Sequence, residues 1–142
     1  MAERDLINQA RGLVDAFNAS DWERCKAAIT SDSLYDEVGT SRRLRGVAEI
    51  IPCWQEWKAA MPDVKGTVTN TLATGSTVVL EVTWKGTHTG PLKGPKGTLP
   101  PTGKQQTTRA NWLLSFEGGK IKESRHYFDM LSFMQQIGAL PQ

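Results

Sequence analysis

Cysteine and histidine are scarce in this 142-residue sequence, which has two of each. Cys25 and Cys53 lack the C-x-x-C spacing of zinc and redox motifs, and neither has a histidine close by in the sequence. We therefore expect no metal site and two reduced thiols that pack as small apolar side chains.

Long apolar segments and a strong net charge are missing as well. No run approaches the roughly 20 apolar residues that span a bilayer, and the N-terminal residues MAERDLINQA lack the apolar core of a signal peptide. These absences predict a cytoplasmic protein that does not bind membranes. A net charge of +2 gives no reason to expect nucleic-acid binding. The densest basic run, at residues 42–45, is interpreted as a solvated loop in preference to an anion or partner contact.

Helical periodicity is concentrated in the first half of the chain. Apolar residues recur at helical spacing in residues 3–19, and the Ser-Asp pair at 20–21 offers an N-cap for a short second helix. A third helical pattern covers residues 47–60 but contains Pro52, which lacks an amide donor. The third helix should therefore start near Pro52 or bend there.

The second half of the chain is typical of β-strands. Alternating or β-branched segments, together with one earlier strand, lie at residues 33–39, 64–74, 76–88, 104–116 and 120–129. The glycine- and proline-rich residues 90–103 are predicted to form a loop. In residues 131–140 the apolar positions predict a terminal segment that covers an apolar surface, with Asp129 as its N-cap.

Length and element order together predict one α+β domain spanning residues 1–142. Its helices should pack on the concave face of a cone-shaped, curved antiparallel sheet. Such a sheet leaves a cavity under the helices, which is the natural place for a small ligand. Fold alone does not decide the chemistry of that cavity.

Three motifs carry a resemblance to a known family. The sequences WKGTHTG, PPTGK and FEGGKIKESRHYFDMLSFMQQIGAL are similar to segments of the SnoaL-like polyketide cyclases and ester cyclases, within the nuclear-transport-factor-2-like (NTF2-like) superfamily. The resemblance to the superfamily covers the whole chain, and the motifs cover residues 84–140. It implies an NTF2-like α+β barrel that forms a homodimer, with an apolar cavity and no cofactor.

The resemblance also implies a reaction. In these cyclases an acid/base carboxylate moves a proton from a carbon next to a carbonyl group, and an intramolecular aldol reaction closes a ring. That carboxylate usually lies in a Trp-Asp pair just before Tyr-Phe-Asp, where this chain has Arg125 and His126. We predict that His126 moves the proton, since an imidazole with a pKa near 6.5 can take and return one near neutral pH. An apolar wall would lower that pKa.

The pairing of His126 depends on the Glu-Gly-Gly turn at residues 117–119. A three-residue loop would place Ala110 opposite His126, and a two-residue turn would place Asn111 there. In both registers His126 shares a face with Ser124 and Phe128.

Further candidate residues surround this strand. Asp36 and Glu37 follow Tyr35, and because strands alternate, one of these two carboxylates must point into the cavity, where its pKa would be raised. His88 is a candidate for the cavity mouth or a structural residue, and Arg109 for an oxyanion contact or a surface ion pair. The residues predicted to bind substrate are Tyr35, Trp54, Trp57, His88, Arg109, Trp112 and Phe128.

The hypothesis favoured by the resemblance is a cofactor-independent lyase or isomerase related to polyketide cyclases, with a role in antibiotic biosynthesis. It would act on a small hydrophobic aromatic carbonyl compound by aldol-type cyclisation or isomerisation. The alternative is a non-catalytic NTF2-like domain that binds a small molecule. A homodimer would use the exposed sheet face that carries Thr77, Val79, Glu81 and Thr83.

Overall fold

A computed structural model describes residues 2–94 and 97–140. The elements in these residues are α1 (Glu3–Asn18), α2 (Trp22–Ala27), β1 (Ile29–Glu37), β2 (Arg42–Arg45), α3 (Val47–Ala60), β3 (Lys65–Thr74), β4 (Thr77–Thr87), β5 (Leu92–Gly94), β6 (Gly97–Leu99), β7 (Gln105–Glu117), β8 (Lys120–Phe128) and α4 (Met130–Gln136). None of the described helices is both long and apolar enough to cross a membrane.

The helices begin and end close to where the sequence predicts, with one correction. Asp21 caps α2 by accepting the backbone N–H of Arg24 at 3.2 Å, and Asp129 caps α4 in the same way. Helix α3 begins at Val47 and contains Pro52, so a start near Pro52 is wrong. The Gly46 carbonyl accepts the first intrahelical bond, from Ile50 at 2.9 Å, and the first turn therefore forms without Pro52.

Six strands form one curved sheet in the order β2-β1-β8-β7-β4-β3. Neighbours pair antiparallel except β1 and β8, which run parallel, so the prediction of a wholly antiparallel sheet is wrong at this position. Strands β1 and β8 are separated by most of the chain, so no tight turn connects them and none imposes an antiparallel pairing. The mixed α+β class with helices on one face of a curved sheet is confirmed.

Two segments predicted as loops contain short strands. Residues 42–45 form β2, which pairs with β1, and within the predicted loop 90–103 strand β5 pairs antiparallel with β6. Residues 95 and 96 of that loop lie outside the described residues. The β1–β2 hairpin matters for the site because it returns the chain directly beside Glu37.

Strands β7 and β8 pair in neither of the predicted registers. Gly118 and Gly119 form a two-residue turn at positive φ, and a bulge between Ser115 and Phe116 then shifts the pairing by one residue. His126 consequently lies opposite Trp112, and not opposite Ala110 or Asn111. The alternation of side chains along β8 does not depend on which residues of β7 lie opposite, so His126 lies on its predicted face.

Candidate active site

A cavity of about 70 Å³ lies between the concave face of the sheet and the helices α1, α3 and α4. It has room for a few water molecules, so a larger ligand requires wall side chains to move. Of the predicted site residues, those that line it are Tyr35, Glu37, Trp54, Trp57, Trp112, His126 and Phe128.

A continuous chain of hydrogen bonds crosses the wall of this cavity. The hydroxyl of Tyr35 lies 2.9 Å from Glu37 Oε2 and 2.9 Å from His126 Nδ1, and Trp84 Nε1 lies 3.2 Å from His126 Nε2. A carboxylate only accepts, so the Tyr35 proton goes to Glu37 and His126 Nδ1–H donates to the Tyr35 oxygen. The indole N–H then donates to the lone pair on Nε2. These partners assign a neutral imidazole with its proton on Nδ1.

Strand geometry explains why these side chains meet. Tyr35 and Glu37 are two residues apart on β1 and therefore point to the same face. In the parallel pair of β1 and β8, Glu37 lies opposite His126. Strands β1 and β8 thus place the Glu37 carboxylate and the His126 imidazole close together in the cavity wall.

His126 is held in an apolar, aromatic environment. Its ring is stacked on Trp112, with centroids 4.8 Å apart and planes 12° from parallel. Burial lowers the pKa of His126 to about 4, against the opposing effect of the negative charge on Glu37. The lowering expected from an apolar wall is confirmed, and the imidazole is neutral at pH 7.

Glu37 differs from its predicted behaviour. Burial by itself would raise its pKa, but the Thr40 hydroxyl at 2.6 Å, the Arg42 guanidinium at 2.8 Å and the Trp57 indole at 2.9 Å together lower it. The predicted rise is therefore wrong, because the prediction assumed a purely apolar cavity. Glu37 is a buried carboxylate that stays ionised.

The hydroxyl of Tyr35 keeps its proton at neutral pH. Burial raises the pKa of Tyr35 well above its ordinary range, and the charge of Glu37 raises it further. At neutral pH the tyrosine is therefore a neutral bridge. Its hydroxyl links the Glu37 carboxylate to the His126 ring by hydrogen bonds and stays protonated.

Three predicted residues do not line the cavity. Asp36 points to the other face of β1, where its carboxylate pairs with Arg43 at 3.4 Å. Arg109 is exposed on the outer face of β7. His88 is fully buried, with Nδ1 3.0 Å from the Thr102 hydroxyl. Asp36 and Arg109 are thus separated from His126 by the sheet itself.

Sequence reasoning missed residues on both sides of the site. Arg42 was taken for part of a solvated loop, yet it binds Glu37 through Nε and Nη2 and also pairs with Glu56 at 3.2 Å. The signal available was the short spacing from Glu37 to Arg42, which suits a hairpin with opposite charges across from each other. Gln106 and Thr108 also line the cavity, and they were predicted only as part of a strand.

Cys25 and Cys53 belong to no cluster of metal-binding side chains in the part of the chain that the structure describes. Both thiols are free and buried, and Cys53 Sγ lies 3.5 Å from Glu37 Oε2. Among residues 2–94 and 97–140 no group of three or more histidine, cysteine, aspartate or glutamate side chains is placed to bind a metal ion. Burial raises the pKa of both thiols.

Comparison with known proteins identifies relatives of this architecture. The family model for the SnoaL-like polyketide cyclases matches residues 8–137. A candidate SnoaL-like polyketide cyclase from Jannaschia sp. CCS1 superimposes with a TM-score of 0.86 at 22% identity, covering 98% of this chain and 95% of that one. IdmH from Streptomyces antibioticus, a candidate polyketide cyclase, has a TM-score of 0.80 at 26% identity, covering 94% and 98%.

A further similar solved structure is described by its fold. A hypothetical protein from Catenulispora acidiphila DSM 44928, described as having a ketosteroid isomerase-like fold, gives a TM-score of 0.78 at 19% identity, covering 94% of this chain and 93% of that one. The predicted NTF2-like fold is confirmed by these likenesses. No curated protein matches the chain in sequence.

Proposed function

Because the chain belongs to the SnoaL-like polyketide cyclase family, we propose that it is a cofactor-independent enzyme that acts on an aromatic carbonyl compound by proton transfer. The observation that supports this most strongly is the hydrogen-bonded series Glu37–Tyr35–His126 in an otherwise aromatic cavity. A buried charge linked to a buried neutral base is the arrangement that acid/base catalysis requires.

His126 Nε2 takes a proton from the carbon next to the substrate carbonyl, and the C–H electron pair forms the enolate. The imidazolium that results keeps its Nδ1–H bond to Tyr35, and the Glu37 carboxylate stabilises the positive charge through the tyrosine hydroxyl. The enolate carbon then attacks a second carbonyl of the same molecule, and Nε2–H returns the proton to the new alkoxide. Return of the proton to a different carbon would give isomerisation instead.

The indole N–H of Trp84 can contact both His126, the base, and the enolate oxygen on which negative charge develops. In the free protein its indole N–H donates to His126 Nε2, the atom that must accept the substrate proton. Nε2 has a single lone pair, so the indole N–H must leave it before Nε2 can take the substrate proton, and the freed N–H can then donate to the enolate oxygen. A base with a pKa of about 4 is weak, so stabilisation of that oxygen has to supply much of the catalysis.

The direct test is hydrogen–deuterium exchange, followed by NMR, at the acidic carbons of a panel of aromatic β-dicarbonyl compounds in D₂O. The wild-type protein should exceed the uncatalysed rate, and His126→Ala should lose about 10²–10⁴-fold of that excess, the range of general-base catalysis. Arg109→Ala, on the outer face of the sheet, is the matched control and should exchange like the wild type. Equal rates in His126→Ala and the control would contradict the proposal.

A second candidate function is a non-catalytic domain that binds a small aromatic molecule. It is favoured by one observation: both nitrogens of His126 already have hydrogen-bond partners within the protein. Such a domain would bind members of the same panel without exchange, and His126→Ala would change the affinity little.

The remaining parts of the proposal concern the setting of the reaction. We place the enzyme in the cytoplasm, in a biosynthetic role of the kind that builds polyketide antibiotics. A homodimer would form through the outer sheet face of β4, with Thr77, Val79, Glu81 and Thr83, and sedimentation velocity of the wild type would test it. Neither a nucleic acid nor a membrane is part of this proposal.

A further inference from the structure

Two polar residues in the cavity take no part in the proton-transfer chain. Gln106 and Thr108 lie on β7, line the cavity and are 2% and 6% exposed. Most of the other residues that line the cavity are aromatic or aliphatic. A buried primary amide in such a wall is stabilised only to the extent that its hydrogen bonds are made.

The hydrogen bonds of this pair are incomplete. Thr108 donates its hydroxyl proton to Gln106 Oε1 at 2.5 Å. Gln106 Nε2 donates to Met61 Sδ at 3.3 Å, and a thioether is a weak acceptor. An amide nitrogen has two N–H donors, and the second one has no partner among the described residues. The lone pairs of the Thr108 hydroxyl are also unused there.

The carboxylate and the imidazole of the cavity have more hydrogen-bond partners than this pair. Glu37 accepts hydrogen bonds at both carboxylate oxygens, and both nitrogens of His126 are bonded. The indole N–H groups of Trp54 and Trp112 have no partner among the described residues, but each can only donate. Gln106 and Thr108 together offer both a donor and an acceptor, which is what a hydroxyl or carbonyl oxygen of a ligand needs.

The strand register separates this pair from the base. Trp112 lies opposite His126, and Thr108 is four residues away along the same face of β7, about 13 Å of extended backbone. Trp84, which is paired with Thr108 across β4 and β7, reaches from that position to His126 Nε2. An aromatic wall therefore connects two polar ends of one cavity.

We propose that Gln106 and Thr108 form a recognition subsite that binds a hydroxyl or carbonyl oxygen of the substrate at the end remote from His126. The inference rests on the proposed function, because it names the second polar end of the same substrate. It narrows the substrate class to flat aromatic carbonyl compounds with a second oxygen on the far ring. Gln106 and Thr108 set specificity, and His126 moves the proton.

Three related probes test the subsite: 2-acetylnaphthalene and its 6-hydroxy and 6-methoxy derivatives. Their affinities are measured by isothermal titration calorimetry. The wild type should bind the 6-hydroxy compound about three- to tenfold more tightly than the unsubstituted one, which corresponds to one net hydrogen bond. A similar gain for the 6-methoxy compound would identify the ligand oxygen as an acceptor from Gln106. A gain confined to the hydroxyl compound would identify it as a donor to Thr108.

The substitutions Thr108→Val and Gln106→Leu remove the polar atoms with little change in volume. Gln106→Leu should abolish the preference for the oxygenated probe directly, and Thr108→Val should abolish it too because the Thr108 hydroxyl also orients the Gln106 amide. Both variants should leave binding of 2-acetylnaphthalene unchanged or tighter. Thr107→Val is the matched control, because Thr107 is exposed on the opposite face of the same strand. If Gln106→Leu fails to fold, the nearly isosteric Thr108→Val still carries the test.

Equal affinity for all three probes in the wild type, or no binding of any, would overturn the subsite. So would a preference that survives Thr108→Val. Exchange at the acidic carbons of the aromatic β-dicarbonyl panel in D₂O is recorded for the same protein preparations. A preference for oxygen without exchange keeps the subsite and removes the proposed enzyme, whereas exchange without the preference keeps the enzyme and removes the subsite.

Discussion

Glu37 and His126 lie opposite each other on the parallel strands β1 and β8, and the hydroxyl of Tyr35 joins their side chains at 2.9 Å on either side. The arrangement fixes one tautomer of the imidazole and directs its basic nitrogen toward Trp84. It also places a full negative charge behind a neutral base. The predictions below test the parts of this arrangement separately.

Removing the bridge should uncouple the two groups. Tyr35→Phe keeps the ring and deletes the hydroxyl, which leaves Glu37 Oε2 and His126 Nδ1 without their common partner. We expect the free energy of unfolding to fall by about 1–3 kcal/mol, the cost of unsatisfied buried polar groups. The ¹⁵N shifts of His126 should show the Nδ1–H tautomer in the wild type and in Tyr35→Phe, because Trp84 Nε1–H still donates to His126 Nε2 in the variant. Tyr127→Phe is the control, since Tyr127 is exposed, and an Nε2–H tautomer in the wild type would contradict the assignment.

His126 should make stability depend on pH in a defined window. Its pKa is about 4 in the folded protein and about 6.5 when unfolded, so the unfolded state binds more protons between these values. Stability is therefore lost as the pH falls from about 6.5 to 4, by about 3 kcal/mol in total. Urea unfolding of wild type and His126→Gln across pH 7–4 measures the difference.

Subtraction of the variant is necessary because burial also lowers the pKa of His88, which destabilises the fold in the same direction. The His88 contribution is common to both proteins and cancels. Parallel stability curves for wild type and His126→Gln over this range would show that His126 is not held neutral by burial.

Arg42 should stabilise the fold by neutralising the buried Glu37. Breaking a buried pair costs roughly 3–5 kcal/mol, but the Arg42 side chain is 33% exposed, so we expect about 2 kcal/mol for Arg42→Ala. Arg43→Ala is a matched control, because its pair with Asp36 is exposed on the arginine side and should be worth less than about 1 kcal/mol. Chemical denaturation measures both, and equal losses would place Arg42 among ordinary surface charges.

Trp84 should affect turnover more than substrate binding. Trp84→Phe keeps an aromatic ring beside Phe17 but removes the N–H that faces His126 Nε2. On an exchangeable β-dicarbonyl we expect kcat to fall about tenfold or more with KM little changed, since the lost bond is one that forms to the enolate. Trp22→Phe, which also contacts Phe17 but does not line the cavity, should leave both constants unchanged. A change in KM alone would assign Trp84 to binding.

The helices and strands whose apolar residues recur at regular spacing in the sequence were predictable. Helix α1 and the long strands β3, β4, β7 and β8 carry clear periodicity, and each was found within a few residues of its predicted bounds. For Glu37 and for His126 the sequence left two possible side-chain directions, into the cavity or away from it, because side chains alternate along a strand whatever its partner. The inward direction found for both was one of these two.

Pairing between distant segments was not predictable from local pattern. The parallel contact of β1 with β8 and the bulge that brings Trp112 opposite His126 arise from tertiary packing. The same reason explains the wrong pKa direction for Glu37. Its charge is held by Arg42, which reaches it only because residues 42–45 form a strand and not a loop.

The central claim is that His126 itself moves the proton, and chemical rescue tests it most directly. In D₂O, the wild type should catalyse exchange of a bound aromatic β-dicarbonyl compound, and His126→Ala should not. Added imidazole fits the space left by the missing ring and should restore part of the rate to the variant, in proportion to the neutral form of imidazole. Exchange in His126→Ala at the wild-type rate, without imidazole, would contradict the account.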